Sequence, residues 1–194
     1  MSSAHHPITK KGSLMEEILD TRGISVQKCY QCGKCSAGCP LAEDMDNPPS
    51  VIMRHLQPES KVLEEKILRA ESIWVCVACE TCAARCPMEI DIPGVIDFLR
   101  EKSLNRKIAN PKAKNIISFH KAFLDSIEQT GRLYELGLIA DYKVRSLNMG
   151  QDVALAPSMI AKGKLSFLPE LIKGRKNMLS IFSKTLKKKK GGKS

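Results

Sequence analysis

Two runs of four cysteines constrain the fold of this chain more than any other feature. The first run contains Cys29, Cys32, Cys35 and Cys39, and the second contains Cys76, Cys79, Cys82 and Cys86. Both have the spacing C-x2-C-x2-C-x3-C-P, and together they use all 8 cysteines. Thiolates are strong ligands for soft metals. We therefore expect the fold to be organised around whatever these two quartets bind.

This spacing is typical of chains that bind two [4Fe–4S] clusters, in which the fourth cysteine of each run ligates the other cluster. The first predicted ligand set is therefore Cys29, Cys32, Cys35 and Cys86. The second is Cys76, Cys79, Cys82 and Cys39. Such crossed ligation would bring the two clusters close together, as an electron relay requires.

Three other interpretations fit the cysteine count. Disulfides suit small secreted chains, but no signal peptide or apolar leader precedes the quartets. Structural zinc uses C-x2-C pairs that are usually well separated, with four ligands for each ion. Two independent clusters, each held by one run, would use the same eight thiolates without crossing.

Composition indicates a globular chain of 194 residues, with 43% hydrophobic and 27% charged residues. Aromatic residues make up 5% of the chain, so we expect an aliphatic, methionine-containing core. No apolar run is long enough for a membrane span. Cysteines that bind clusters must stay reduced, which favours the cytoplasm.

The net charge of +10 is concentrated in part at the end of the chain, where six lysines lie within 183–194. A basic tail can bind nucleic acid or an anionic membrane surface. Because this run lacks interleaved aromatic residues, we favour a solvated, disordered tail and predict no nucleic-acid partner.

Local patterns predict a mainly α fold. Ser13 and Glu16 form a capping box ahead of a first helix that Gly23 ends. The predicted helices cover 14–21, 50–56, 61–70, 93–107, 111–129 and 133–140. Ile73, Trp74 and Val75 are the one candidate strand, and we expect Trp74 to shield a cluster from water.

The chain divides into four predicted parts. Residues 1–11 form a disordered arm, and 12–140 form the α-helical domain that carries both clusters. Residues 141–182 keep apolar side chains but are interrupted by glycine and proline, which predicts an extended arm with short helices that binds a partner. Residues 183–194 form the basic tail.

The chain resembles the C subunit of cytoplasmic heterodisulfide reductase. The similarity lies in the two quartets, in the sequence context of 74–82, in the Pro-Met-Glu-Ile-Asp-Ile-Pro segment at 87–93, and in the helix around 118–132. It extends over most of 12–169. Similar quartets occur in succinate dehydrogenase iron–sulfur subunits and in glycerol-3-phosphate dehydrogenase C subunits, so the quartets alone do not identify one family. The downstream helix around 118–132 is the feature that narrows the resemblance to a single family.

The resemblance implies an α-helical ferredoxin-type domain with two [4Fe–4S] clusters in the cytoplasm. It implies a relay from a flavin-bearing A subunit to a catalytic B subunit that reduces the CoM-S-S-CoB heterodisulfide in methanogenesis. A hydrogenase or a formate dehydrogenase would join the larger complex. This chain would be the electron-transfer subunit of an oxidoreductase, with no catalytic site of its own.

Three alternatives remain at this point. The chain could serve a different anaerobic oxidoreductase, of the fumarate-reductase or sulfur-oxidising kind. It could be a free ferredoxin-like carrier, although the apolar arm argues against that. The charge alone would suggest a cluster-containing nucleic-acid protein, for which steep salt dependence of DNA binding would be the evidence.

Overall fold

The computed structural model describes residues 12–147, 149–150, 156–163, 168–169 and 171–190. These residues form helices and turns, with no β-strand among them, which confirms the mainly α fold. The chain separates into two compact units, Met1–Ala113 and Lys114–Ser194. The sequence had predicted a domain that ends at residue 140, which lies inside a helix of the second unit. The predicted N-terminal arm, 1–11, lies outside the described residues.

The first unit contains short helices on either side of the cysteine quartets. They are α1 (Leu14–Arg22), α2 (Lys34–Ala37), α3 (Pro49–Leu56), α4 (Lys61–Leu68), α5 (Ser72–Val75), α6 (Thr81–Ala84) and α7 (Ile92–Asn105). Turns of 3-10 helix lie at Val26–Lys28, Ala42–Asp44 and Pro111–Ala113. The spacer between the quartets is therefore helical, as predicted.

The capping pattern at the start of α1 is largely confirmed. The backbone N–H of Glu16 donates to Ser13 Oγ at 3.2 Å, and Glu16 Oε2 accepts the N–H of Gly12 at 2.6 Å. Gly23 ends the helix with φ of 68°, a left-handed conformation that glycine adopts at low cost. The glutamate thus reaches back to Gly12, one residue before the position expected for a capping box.

The core of the first unit is built from aliphatic side chains and methionine. Its largest fully buried members are Leu14, Met15, Ile18, Ile52, Met53, Leu56, Ile67, Leu68, Ile73, Ile92, Ile96 and Leu99. The longest helix of this unit, α7, packs against α1, α4, α5 and α6. Its inward stripe, Val95, Phe98 and Leu99, is buried. This helix is capped by the side chain of Asp91, which accepts the N–H of Gly94 at 2.9 Å.

The strand predicted at Ile73–Val75 is wrong, because these residues lie in helix α5. Three consecutive β-favouring side chains suggested an extended segment. The helix is instead started by Asp46, which accepts the backbone N–H groups of Glu71 and Ser72 at 3.2 and 2.9 Å. A tertiary contact from 25 residues upstream therefore overrides local propensity.

The second unit contains α8 (Lys114–Thr130), α9 (Glu135–Ser146), α10 (Ala156–Ala161) and α11 (Arg175–Lys190). Both α9 and α11 pack against α8. Gly131 ends α8 with φ of 83°, as predicted. The next helix starts two residues later than predicted and ends six residues later. Near its end, Arg145 pairs with Asp141 in the same helix and with Asp125 in α8.

The C-terminal region differs from the predicted arm and tail. Its described residues are largely helical and do not show an extended arm. The last described helix, α11, continues through Lys190, so it includes the first part of the predicted basic tail, 183–194. Lysine has high helix propensity and extends a helix that has already begun. Within the described residues, no helix is long and apolar enough to cross a membrane.

Candidate iron–sulfur centre

The two quartets have the same backbone conformation, 47 residues apart. Gln31 and Gly33 have φ of 63° and 77°, and their counterparts Ala78 and Glu80 have φ of 50° and 61°. Left-handed residues at alternate positions turn the chain so that the cysteines on either side face one region. The second quartet makes this turn with Glu80 where the first uses glycine.

Each turn leads into a one-turn helix that buries the third cysteine. Cys35 lies in α2 and Cys82 in α6, and both are 8% exposed. Burial raises the pKa of the Cys35 thiol, and it raises that of Cys82 to about 11. The charges of Cys76 and Cys35 also raise the Cys82 pKa, which places a thiol of the first quartet near the second. Metal coordination removes such a proton despite burial.

The quartets pack directly against each other. Helix α2 contacts α6, and the side chain of Arg85 lies against Gly38. A Cβ atom at position 38 would meet the Arg85 side chain, so a larger residue there would require that side chain to move. The two cysteine runs therefore form one structural centre.

A cleft of about 370 Å³, including its solvent-open mouth, lies at this centre. Cysteines from both quartets line it, and they are Cys39, Cys76, Cys79 and Cys82. Apolar residues such as Met45, Pro49 and Ile96 form much of the rest of the wall. The structure thus places the fourth cysteine of the first quartet with the first three of the second. This grouping is the one that crossed ligation predicts.

Tyr30 lies at the other group of cysteines. The pKa of its hydroxyl is raised by desolvation, by a hydrogen bond with Cys32, and by the charges of Cys32, Cys86 and Cys29. Cys35 in turn responds to the charges of Cys29 and Cys32. The fourth cysteine of the second quartet therefore lies near the first quartet.

Several thiols accept or exchange hydrogen bonds with nearby groups. Backbone N–H groups of Ala78 and Ile90 donate to Cys76 Sγ at 3.4 Å and to Cys86 Sγ at 3.5 Å. Gln31 Nε2 donates to Cys29 Sγ at 3.5 Å. Donors to sulfur are one means by which proteins set cluster potentials. A hydrogen bond with Thr81 is the main cause that lowers the pKa of Cys79.

The cleft, the cysteine set and the sulfur hydrogen bonds fit a [4Fe–4S] cluster. Among the described residues, no group of three or more His, Cys, Asp or Glu side chains could hold a single metal ion. Trp74, predicted to shield a cluster, is 4% exposed, and its buried Nε1 has no hydrogen-bond partner among the described residues.

Sequence reasoning missed two side chains that hold the quartets in place. Gln57 Nε2 donates to the carbonyl of Cys29 at 2.6 Å. The Arg100 guanidinium donates to the carbonyls of Ile73 and Cys76. Both side chains come from the helices that follow the quartets. Neither position carries a local sequence signal, because the two residue types differ and their spacings from the quartets differ.

Comparisons with known proteins agree with this centre. Residues 25–90 match the 4Fe-4S dicluster domain family. The chain is also 33% identical over 63 residues to the iron-sulfur C subunit of the CoB–CoM heterodisulfide reductase of Methanopyrus kandleri. That match covers 32% of this chain and 31% of the relative, so the chain spans about a third of the curated relative's length. Both findings support the resemblance drawn from the sequence.

Proposed function

We propose that this chain is the electron-transfer subunit of a heterodisulfide reductase complex. It passes electrons from a flavin-bearing A subunit to a catalytic B subunit, which reduces the CoM-S-S-CoB heterodisulfide in methanogenesis. The similarity to the iron-sulfur C subunit of such a reductase supports this assignment. The A and B partners and a cytoplasmic location follow from the same assignment.

The single observation that carries the relay is the cleft shared by both quartets. Cys39 lines it beside Cys76, Cys79 and Cys82, and we assign these four to one cluster. The remaining set is Cys29, Cys32, Cys35 and Cys86. Tyr30 lies near Cys29, Cys32 and Cys86, and Cys35 lies near Cys29 and Cys32. Because the quartets also pack through Arg85 and Gly38, the two sites are neighbours within one centre.

A [4Fe–4S] cluster supplies one-electron chemistry when it is bound. The protein provides the thiolates, holds them in fixed positions and limits the access of water. The walls formed by Met45, Pro49 and Ile96 reduce the local polarity, and the N–H groups of Ala78 and Ile90 stabilise negative charge on sulfur. Burial and hydrogen bonds of this kind set the potential of a cluster.

A second candidate is the iron–sulfur subunit of a different anaerobic oxidoreductase, or a free carrier. This alternative is favoured by the extent of the family match, which ends at residue 90 and leaves the second unit outside it. A chain with the same cluster centre and another C-terminal unit would serve another partner. Functions often differ between proteins that share a fold.

Anaerobic affinity purification of the tagged chain from its native cells would separate these candidates. The proposed function predicts that a flavin-containing protein and a second cluster-bearing protein are recovered with it in fixed proportion. Recovery of subunits of a fumarate-reductase-like or sulfur-oxidising enzyme would favour the second candidate. Recovery of the chain alone, with rapid electron exchange with several enzymes, would favour a free carrier.

A further inference from the structure

The two quartets are each followed by a helix that reaches back to the first cysteine. Helix α3 begins at Pro49 and α7 begins at Ile92. Gln57 and Arg100 lie eight positions after these starts. Gln57 donates to the carbonyl of Cys29, and Arg100 donates to the carbonyl of Cys76. Cys29 and Cys76 are the first cysteines of the two quartets and so occupy equivalent positions. We call the side chains of Gln57 and Arg100 the two tethers, because each holds the first cysteine of its quartet from the helix that follows.

The tethers differ in charge and in the number of contacts. Gln57 is neutral, makes one contact with Cys29 O at 2.6 Å, and also accepts from Gln31 Nε2 at 2.7 Å. Arg100 is a cation that binds two carbonyls at once, those of Ile73 and Cys76. Its side chain is 15% exposed. A guanidinium remains charged at all relevant pH values and fixes two acceptors through its rigid fork.

The difference in charge between Gln57 and Arg100 should affect how easily each cluster is reduced. Each electron added to a cluster adds negative charge, which a nearby cation stabilises. A cation that is largely shielded from water acts more strongly than one on the surface. Arg100 is bonded to the carbonyl of Cys76, whereas the equivalent place beside Cys29 holds an amide.

We propose that Arg100 is a positioning residue that fixes the Cys76 end of the second quartet, and that its charge raises the reduction potential of the cluster held there. The proposal rests on the proposed function, because it requires the chain to carry clusters. The difference between the tethers makes the reduction potentials of the two clusters unequal. The cluster beside Cys76 has a higher reduction potential than it would have with a neutral tether.

Asp97, Glu80 and Arg85 are other charged residues near the second quartet. Asp97 pairs with Arg100 Nη1 at 3.0 Å and is 54% exposed, so solvent screens its effect. Glu80 lines the cleft and opposes the charge of Arg100. Arg85 lies against Gly38, at the junction of the two quartets. Arg100 is the cation among these that is bonded to a cysteine carbonyl of the second quartet.

The test is an anaerobic EPR redox titration of the full chain with its clusters bound, in the wild type and in Arg100→Gln, Arg100→Lys and Arg69→Gln. Arg100→Gln reproduces the neutral tether of the first quartet. Arg69 pairs with Glu65 on the surface, so Arg69→Gln removes the same charge without a bond to either quartet. Arg100→Gln should shift one midpoint to a more negative potential and leave the other in place. Arg69→Gln should shift neither.

Backbone hydrogen exchange gives a second readout that separates position from charge. Arg100→Gln should increase exchange at the amides of 73–78, since the two carbonyl contacts are lost. Arg100→Lys should restore the midpoint but only part of the exchange protection, because an ammonium group lacks the fork that spans both carbonyls. Asp97→Asn should move the same midpoint in the positive direction by less than Arg100→Gln moves it, because Asp97 is more exposed.

Unchanged midpoints and unchanged exchange in Arg100→Gln would overturn the inference. So would an equal shift of both midpoints, or the same shift in Arg69→Gln. A wild-type chain that binds no iron and no sulfide would instead overturn the proposed function. In that case the exchange measurement would still test whether Arg100 holds the segment 73–78.

Discussion

The carboxylate of Asp46 caps the helix that contains Ser72, and this contact joins the end of one quartet to the start of the other. Asp46 Oδ1 accepts the Ser72 backbone N–H at 2.9 Å and also the Ser72 hydroxyl. The Ser72 hydroxyl in turn accepts the N–H of Asn47 at 2.6 Å. Ser72 is fully buried, so this reciprocal contact is part of the core beneath the cluster centre.

Replacement of Asp46 should destabilise the first unit. Desolvation raises the pKa of Asp46, but hydrogen bonds from Ser72, Glu71 and Asn47 outweigh it and lower the pKa below its usual value. The stabilisation is therefore present above the unfolded pKa and is lost as the pH falls through the folded pKa. Asp46→Ala should reduce the free energy of unfolding by about 1 kcal/mol, as typical loss of an N-cap does.

Anaerobic urea unfolding at neutral pH, followed by circular dichroism, measures this effect. Asp44→Ala is the matched control, because Asp44 is an exposed carboxylate two residues away in the preceding turn. Equal stability of the Asp46 and Asp44 variants would show that the cap contributes nothing.

Loss of Cys39 should remove the cluster that we assign to Cys76, Cys79 and Cys82. The reason is that Cys39 lines the same cleft as those three cysteines. The Cys39→Ala chain should lose about half of its iron. The EPR spectrum of its remaining cluster should match that of Cys79→Ala and differ from that of Cys32→Ala. A match to Cys32→Ala would mean that each quartet holds its own cluster.

Gly33→Ala should destabilise the first quartet through the backbone alone. Gly33 has φ of 77°, and a Cβ atom there would meet no other atom within 4 Å. A left-handed conformation costs an alanine roughly 1–2 kcal/mol. Urea unfolding of Gly33→Ala should show a loss of this size, whereas Gly150→Ala, also in open space but without positive φ, should unfold like the wild type. Equal behaviour of the two variants would argue against a strained turn.

Glu64→Ala should destabilise the first unit because Glu64 completes the start of α1. Its carboxylate is 4% exposed and accepts the buried N–H of Leu14 at 2.8 Å. An unpartnered buried donor costs about 1–3 kcal/mol. The neighbouring Glu65→Ala removes an exposed pair with Arg69 and should cost about 0.5 kcal/mol or less. Similar urea midpoints for the two variants would contradict this role of Glu64.

The sequence was most informative where chemistry depends on local spacing. The quartet pattern predicted two crossed ligand sets, which stay a prediction, and Cys39 lines one cleft with Cys76, Cys79 and Cys82. Caps such as Ser13 and Asp91 were also predictable, because their partners lie within three residues. Each of these features is specified by residues close together in the chain.

The sequence was least informative where distant residues decide the outcome. The segment 73–75 looks like a strand, but Asp46 starts it as a helix from 25 residues upstream. Arg100 and Gln57 carry no local motif, and their role emerges once the helices are placed beside the quartets. The glutamate at position 80 also adopts a left-handed conformation that its residue type does not suggest.

Metal and sulfide analysis of the anaerobically purified chain, combined with EPR after dithionite reduction, tests the central claim most directly. The account predicts about eight irons and as many labile sulfides for each chain. It also predicts two magnetically interacting S = 1/2 signals, because the two ligand sets belong to one centre. Zinc in place of iron, or iron without labile sulfide, would contradict the cluster assignment and the electron relay that depends on it.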